Sequence, residues 1–190
     1  MKRGSSVCRV RFAVLCIPDI PCFTHEKVMK QVKLSKRLKA LADLIGESES
    51  VADIGTDHGF LPVYFVQTGS VKRVIASDIS PASLSAARRT ADEAGVTDAI
   101  TFHVAPGLDR IAPTDVDTIV IAGLGGETIL DILNDAAWTK RKNIRLILQP
   151  QSKVDILCRF LYDNGYLFIG TKSVLDRGKN YTIIHLAGRE

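Results

Sequence analysis

Polar side chains crowd one short stretch of the sequence, VADIGTDHGFLP, which begins at Val51. An apolar run ends at Asp53, Asp57 follows four residues later, and glycines stand at 55 and 59. Glycine lets the backbone turn tightly beside a ligand. Two carboxylates would attract a cation, such as a sulfonium with an amino-acid tail, and repel a pyrophosphate. The spacing also departs from the GxGxxG fingerprint of dinucleotide-binding loops. The stretch therefore favours a cofactor loop, with an ordinary strand-to-helix turn as the alternative.

A second loop with a carboxylate follows in the sequence ASDIS. Asp78 lies 23 residues after Gly55, close to the spacing of about 20 residues at which a carboxylate binds ribose hydroxyls in nucleotide-binding folds. The same residues also suit a helix start, because Ser80 can cap a helix and Pro81 fits its first turn. Together with the first loop, Asp78 indicates a cofactor that contains adenosine.

Three later loops are further candidates for the ligand site. Pro106 and Gly107, in VAPGLDRI, could line one side of an adenine ring. In AGLGGET, the glycines from Gly123 onward would allow close backbone approach to a bound group, although a tight turn before a helix is the alternative. In LQPQ, the amides of Gln149 and Gln151 could hydrogen-bond a planar base.

Metal and hydrolase chemistry have little support in the sequence. The four histidines are scattered over separate parts of the chain, and no CxxC pair occurs among the four cysteines. A nucleophile elbow is also missing. Since three of the cysteines lie in the first 22 residues and no disulfide framework is indicated, we expect a protein of the reducing cytoplasm.

From residue 33 onward, the chain alternates strand-like apolar runs with helical patterns. The predicted strands are Val51–Ile54, Val74–Ser77, Ile100–Val104, Thr118–Ala122 and Leu146–Leu148, and the predicted helices lie near 60–68, 81–94, 126–136 and 153–164. Continuous apolar runs such as TIVIA suit parallel strands that are buried on both faces. The alternation predicts an α/β fold with a doubly wound, mostly parallel sheet, whose ligands bind at the carboxyl ends of the strands.

The last segment breaks this alternation. YLFIGTKSVLD and NYTIIHLAG both read as strands, and only RGK joins them. A connection this short makes a hairpin, so the last two strands are antiparallel. A seven-stranded, mostly parallel sheet that ends in an antiparallel hairpin is typical of the Rossmann-like class I methyltransferases, whereas dinucleotide dehydrogenases normally continue with another βαβ unit.

One further helix precedes the first strand. Ser35 can cap this helix and Gly46 can end it. Its apolar face follows helical spacing, at Leu38, Leu41, Ala42 and Ile45. Basic residues lie along the other faces: Lys33, Lys36, Arg37 and Lys39. Charges in such positions usually form a solvated surface, and RNA binding is the alternative.

The charge balance differs between the two ends of the 190-residue chain. Residues 1–45 hold ten Lys/Arg and three Asp/Glu, whereas residues 46–190 hold fifteen and eighteen, so the net charge of +4 comes from the amino-terminal part. No apolar stretch approaches the roughly 20 residues that a membrane-spanning helix needs, and we expect no membrane association. Residues 1–32 are interpreted as an N-terminal extension, disordered or an upstream start with Met29 as the natural first residue. Residues 33–190 are interpreted as one catalytic domain.

Six motifs in order carry a resemblance to a known family: KLSKRLKALADLI, VADIGTDHGFLP, ASDIS, the GL pair at 107–108, IAGLGGETI and LILQPQ. Over about residues 33–188, the chain resembles the bacterial tRNA (adenine-N1)-methyltransferases that act at position 22. The resemblance implies transfer of a methyl group from S-adenosyl-L-methionine to N1 of adenine, with tRNA as the partner and no metal.

The resemblance also implies roles for individual residues. It places Gly55, Thr56, Asp57 and His58 at the methionine end of the cofactor, Asp78 and Ile79 at its ribose and adenine, and Ala122 and Gly123 near the transferred methyl group. Asp53, Gly107 and Leu108 complete the expected cofactor site. Gln149, Gln151 and, in the terminal hairpin, Arg177 and Lys179 are the expected substrate-binding residues. Asp57 is the expected catalytic residue, because it is the best-placed acceptor for a proton that leaves the adenine amino group.

Two departures from the family pattern bear on these roles. Ala105 and Pro106 replace a Gly-Asp pair and so remove a carboxylate that would help hold the adenine amino group, and QPQ replaces QPN at Gln151. The chain also ends at Glu190, and we expect the helical C-terminal domain usual in the family to be absent. Two other functions therefore stay open: methylation of another substrate on the same fold, and a non-catalytic module that binds the cofactor or RNA.

Overall fold

A seven-stranded sheet forms the centre of the protein in the computed structural model, which describes residues 29–189. The strands are β1 (Ser48–Ile54), β2 (Val71–Asp78), β3 (Ile100–Val104), β4 (Thr118–Leu124), β5 (Arg145–Pro150), β6 (Leu167–Asp176) and β7 (Lys179–Ala187). The helices are α1 (Lys36–Ile45), α2 (Phe60–Thr68), α3 (Pro81–Ala94), α4 (Gly126–Asp135) and α5 (Val154–Asp163). The strands lie side by side in the order β3-β2-β1-β4-β5-β7-β6. Neighbouring strands are parallel, except that β7 runs antiparallel to both β5 and β6. The predicted fold is therefore confirmed.

The strand order reverses between β1 and β4. The chain builds outward from β1 through β2 to β3, and β4 then pairs with the other side of β1. The connections on the two sides of such a reversal diverge, which leaves a crevice at the carboxyl ends of the two strands. The fold therefore places a ligand site beyond Ile54 and Leu124.

Both faces of the sheet are covered by helices. On one face, α4 and α5 bury residues such as Ile129 and Leu157, and on the other face α1 and α2 bury Leu41 and Phe65. Burial on both faces explains why the central strands read as continuous apolar runs rather than as alternating patterns. No helix within residues 29–189 is long and apolar enough to cross a membrane.

Four strands extend beyond their predicted bounds: β1, β2, β4 and β5. β1 begins at Ser48 rather than Val51, because Ser48 already pairs with Val71 of β2. The Ser48 hydroxyl and the backbone N–H of Ser50 also donate hydrogen bonds to the carboxylate of Asp117. β4 continues past Ala122, and its pairing with β5 shifts register there. A search for apolar runs misses such residues, since their polar groups are satisfied by neighbouring side chains rather than by solvent.

The closing hairpin turns more tightly than predicted. Only Arg177 and Gly178 separate β6 from β7, and both have positive φ, 49° and 77°, as in a two-residue type I′ turn. Lys179 therefore begins β7 instead of lying in the turn. Asp176, the last residue of β6, accepts a hydrogen bond from the backbone N–H of Arg37 at 3.1 Å. This bond ties the hairpin to the first turn of α1.

Residues 30–32, which precede the predicted domain, are hydrogen-bonded to α2. The backbone N–H of Val32 donates to Oε1 of Gln67 at 3.0 Å, and Nε2 of Gln67 donates to the carbonyl of Lys30 at 2.9 Å. These bonds attach residues 30–32 to α2. The first 28 residues of the predicted extension lie outside the described part of the chain.

Candidate functional site

One cavity lies at the carboxyl ends of β1, β2 and β4, and the first turn of α1 and the closing hairpin form its far side. Its volume is about 700 Å³, which is typical of small-molecule sites. It brings together ten of the residues that the sequence predicted: Asp53, Gly55, Thr56, Asp57, His58, Asp78, Ala122, Gly123, Gln151 and Arg177. Residues that are far apart in sequence thus meet where the strand order reverses.

Asp53 is the most buried carboxylate of this cavity. It is 5% exposed and accepts a hydrogen bond of 2.8 Å from the hydroxyl of Thr56. Burial raises the pKa of Asp53 to about 6; the neighbouring Asp78 also raises it, whereas Thr56 and the Arg37 guanidinium lower it. The negative form of this group is therefore short of compensating positive charge, which a cationic ligand in the cavity would supply.

The backbone between β1 and α2 is not arranged to bind an anion. The N–H groups of Gly55 and Thr56 both donate to the carbonyl of Ser77, at 2.8 and 3.1 Å. Gly55 has a φ of +74°, and a Cβ at this position would lie 3.5 Å from the side chain of Leu124. Because these N–H groups are already bonded and Asp53 stands beside them, the loop suits a cation better than a phosphate.

Asp57 and Asp78 are joined across two neighbouring loops. The backbone N–H of Asp57 donates to Oδ2 of Asp78 at 3.2 Å, and Oδ1 of Asp78 accepts from the N–H of Ser80 at 2.8 Å. Asp57 has a φ of 50°, a left-handed conformation that is unfavourable for most residues other than glycine. Asp78 therefore helps to hold the first loop in place as well as facing the cavity.

The side chain of Asp57 extends toward solvent at the rim. It is 69% exposed, and its carboxylate lies 2.8 Å from Nδ1 of His58. The His58 ring in turn stacks on Phe60, with ring centroids 5.6 Å apart. The carboxylate is thus accessible to a substrate that enters the cavity, which the predicted role in accepting a proton requires.

Five predicted site residues do not line the cavity: Ile79, Gly107, Leu108, Gln149 and Lys179. Ile79 is 71% exposed beside Asp78, and Lys179 is exposed just beyond the hairpin turn. Leu108 is buried in the core, and a Cβ on Gly107 would lie 3.1 Å from the side chain of Ile132. The GL pair therefore packs against the interior of the domain.

Gln149 also points into the protein. It is fully buried, its Oε1 accepts from Nη1 of Arg37 at 2.6 Å, and its Nε2 donates to the carbonyl of Pro150 at 2.9 Å. Because each end of the amide is engaged inside the protein and the side chain does not line the cavity, Gln149 is not placed to hydrogen-bond a base in this arrangement. Gln151, two residues later, does line the cavity.

Besides the predicted Arg177, the far side of the cavity contains residues that sequence reasoning missed or read as surface. They are Lys33, Ser35, Arg37, Asp176 and Tyr181. The Arg37 guanidinium lies over the Tyr181 ring, 5.4 Å from its centroid. No local signal identifies these residues, because they enter the site only where α1 packs beside the hairpin.

The cavity is divided by charge. Asp53, Asp57 and Asp78 lie on the side of β1 and β2. On the side of α1 and the hairpin, Lys33, Arg37 and Arg177 outnumber the single carboxylate of Asp176. Within residues 29–189, no group of three or more His, Cys, Asp or Glu side chains is placed to hold a metal ion. The arrangement can therefore hold a cationic group on one side and an anionic partner on the other.

Comparison with known proteins shows similarity to tRNA methyltransferases. A family model described as "Methyltransferase domain" matches residues 34–184. The tRNA (adenine(22)-N(1))-methyltransferase of Bacillus subtilis is 33% identical over 156 residues, which cover 82% of this chain and 66% of that protein.

The crystal structure of the B. subtilis M1A22 tRNA methyltransferase TrmK matches with a TM-score of 0.79 at 32% identity, over 84% of this chain and 68% of that chain. The structure of M. capricolum TrmK with the natural cofactor product S-adenosyl-homocysteine matches with a TM-score of 0.73 at 31% identity, over 83% of this chain and 70% of that chain. The chain thus spans about two-thirds of the length of these relatives.

Proposed function

The chain belongs to the family of bacterial tRNA (adenine(22)-N1)-methyltransferases, and we propose that it transfers a methyl group from S-adenosyl-L-methionine to N1 of adenine 22 in tRNA. The observation that carries this proposal is the charge-divided cavity at the reversal of strand order. The M. capricolum relative, which was solved with S-adenosyl-homocysteine, supports the choice of cofactor.

The residues of the cavity fit this cofactor. The buried carboxylate of Asp53 and the nearby Asp57 suit the positive charges of the methionine portion, and the two oxygens of Asp78 retain lone pairs for a ribose diol. Gly123, with a φ of +84°, leaves the end of β4 without a side chain where the methyl group would lie. When bound, S-adenosylmethionine supplies a methyl group already activated by the positive sulfur, so the chain mainly has to position two reactants.

The adenine end of the cofactor site has no carboxylate from β3. Ala105 is buried, and its backbone N–H donates to the carbonyl of Asp78 at 3.1 Å. The exposed Ile79 stands beside Asp78 and would be covered by an adenine ring placed against it, which buries apolar surface. Apolar contact at Ile79 is therefore proposed to replace part of the missing polar contact.

Asp57 is proposed to receive the proton that leaves the product. Adenine N1 carries a free lone pair, so no base is needed before attack, and the methylated ring is positively charged. An exposed carboxylate at the rim stabilises that charge and can accept a proton from the amino group.

The tRNA is proposed to approach from the hairpin side. N1 lies on the Watson–Crick edge, so the adenine must be unpaired or flipped out to react. Gln151 and Arg177 line the cavity on this side, and Lys179 lies just outside it. Lys140, Arg141 and Lys142 precede β5 and so lie at the opposite end of the strands, where they would not contact this substrate.

The test combines labelled S-adenosylmethionine with an unmodified tRNA transcript that has adenine at position 22, followed by mapping of methyladenosine. We expect one methyl group at N1 of that adenine, and none in a matched transcript with guanine there. Cofactor binding without methylation of either transcript would favour another substrate or a non-catalytic module. Absence of cofactor binding would refute the assignment of the cavity.

A further inference from the structure

The basic side of the cavity contains a guanidinium that is held in place but only partly hydrogen-bonded. Arg37 is half-buried in the first turn of α1, where its backbone N–H donates to Asp176 and its Nη1 donates to Gln149. Its planar group lies over Tyr181. Among residues 29–189, Nε and Nη2 of Arg37 make no hydrogen bond. No carboxylate there is close enough for a salt bridge with the guanidinium, which interacts with the charges of Asp53 and Asp176 at longer range. Part of its donor set is therefore available to a ligand.

This guanidinium lies beside the point where reaction is proposed, rather than on the outer surface. A Cβ built on Gly123 would be 3.5 Å from Nη1 of Arg37 and 3.5 Å from Nε2 of Gln151. The two side chains thus flank the bare backbone at the end of β4. A nucleotide that enters to meet the transferred methyl group would come within reach of both.

The charge of Arg37 favours contact with a phosphate over contact with the reacting ring. Methylation at N1 gives the adenine a positive charge, and a second positive charge against the ring would oppose that change. A phosphodiester oxygen, by contrast, is attracted to a guanidinium and can accept paired N–H bonds from it. Lys33 and Arg177 are exposed on the same side of the cavity and extend the positive surface.

We propose that Arg37 binds a phosphate of the target nucleotide and so fixes the flipped base against Gly123. Gln149 and Tyr181 are positioning residues in this arrangement: the buried amide holds Nη1, and the ring supports the guanidinium plane. The proposal rests on the proposed function, since it names the residue that holds the tRNA in the same cavity. It also separates Arg37 from its neighbour Lys36, which is exposed and does not line the cavity.

The test compares Arg37→Gln with Lys36→Gln, a neighbouring variant that loses the same charge from the same helix. Methyl transfer to the unmodified transcript is measured near pH 8, where Asp53 stays ionised. We expect Arg37→Gln to raise KM for tRNA about tenfold. In a plot of the logarithm of the tRNA association constant against the logarithm of the salt concentration, the magnitude of the slope should fall by about one. The affinity of Arg37→Gln for the cofactor should stay within about twofold of the wild-type value. Lys36→Gln should leave KM for tRNA nearly unchanged, because a charge on the surface makes no fixed contact.

Two further variants separate phosphate binding from a structural role. Arg37→Lys keeps the charge but loses the fork and the contact with Gln149, so we expect an intermediate KM with the salt slope retained. Gln149→Leu keeps the Arg37 guanidinium but removes the amide that positions it, together with the hydrogen bond to the Pro150 carbonyl. It should raise KM, also with the slope retained. The melting temperatures of both variants are compared with that of the wild type, so that a loss of folding is distinguished from a loss of tRNA binding.

The outcomes distinguish this proposal from the proposed function. If the wild-type chain does not methylate the transcript, the proposed function fails. If the wild type is active and Arg37→Gln matches Lys36→Gln in KM and salt slope, the role of Arg37 is refuted. A variant that changes the preference for adenine over guanine at unchanged salt slope would show a base contact and also overturn the proposal.

Discussion

Replacing Asp53 with asparagine should stabilise the protein while weakening its binding of S-adenosylmethionine. The pKa of Asp53 rises from 3.8 to about 6 on folding, chiefly through burial. A group whose pKa is raised in the folded state contributes stability below its unfolded pKa, and that stability is lost as the pH rises through the folded pKa. The difference of about two pKa units corresponds to about 3 kcal/mol of folding free energy near pH 7.5.

Asparagine avoids this cost because it is neutral at every pH and can still accept the hydrogen bond from Thr56. We therefore expect Asp53→Asn to raise the melting temperature near pH 7.5 by about 6 to 12 °C, given the usual conversion for a domain of this size. The gain should shrink between pH 6 and pH 4 and vanish below about pH 4, where the wild-type carboxyl is protonated in both states. Thermal unfolding of the two proteins at matched pH values isolates this group from all others.

Ligand binding should change in the opposite direction. Loss of the carboxylate removes the buried counter-charge for the methionine portion, and we expect cofactor affinity near pH 7.5 to fall about tenfold or more. The wild-type affinity should also increase from about pH 5 to pH 7.5 as Asp53 ionises, and the variant should lack this rise. If Asp53→Asn lowered the melting temperature equally at pH 4 and pH 7.5, or bound the cofactor as tightly as the wild type, the reasoning would be refuted.

Three further predictions concern the rim of the cavity. Asp57→Ala should lower kcat for tRNA with a modest loss of thermal stability, since the side chain is exposed but alanine tolerates the positive φ of this position less well. Unchanged cofactor affinity together with unchanged turnover would contradict the role of this loop. Neutralising Arg177 and Lys179 together should weaken tRNA binding and flatten its salt dependence more than neutralising residues 140–142, as filter binding at several salt concentrations would show. Asp176→Asn should lower the melting temperature near pH 7, because hydrogen bonds from the Arg37 backbone and the Ser35 side chain lower the pKa of the Asp176 carboxyl. The stability that this carboxylate contributes is lost as the pH falls through its lowered pKa. The gap between wild type and variant should therefore narrow in acid, and a gap that stayed constant with pH would contradict this link between α1 and the hairpin.

Much of the fold follows from local patterns in the sequence. Alternating apolar runs and helical faces predict parallel strands with helices between them, and the three residues RGK between two strand patterns leave no room for a crossover. The acidic side of the cavity follows almost as directly. Asp53 and Asp78 each end a strand, and the carboxyl ends of neighbouring parallel strands must meet at one edge of the sheet.

The basic side of the cavity was decided by tertiary structure. Arg37 lies 112 residues from Gln149 and 139 residues from Asp176, and no periodicity within α1 shows that its first turn packs beside the last hairpin. The same packing turns Gln149 inward, although its position at the end of β5 suggested contact with a base. The sequence alone determined which strands end in a carboxylate, because the position of a residue along its own strand depends only on residues that are near it in the chain. Which side chains face the cavity depends on neighbours that are distant in the chain, and only the packed structure brings those neighbours together.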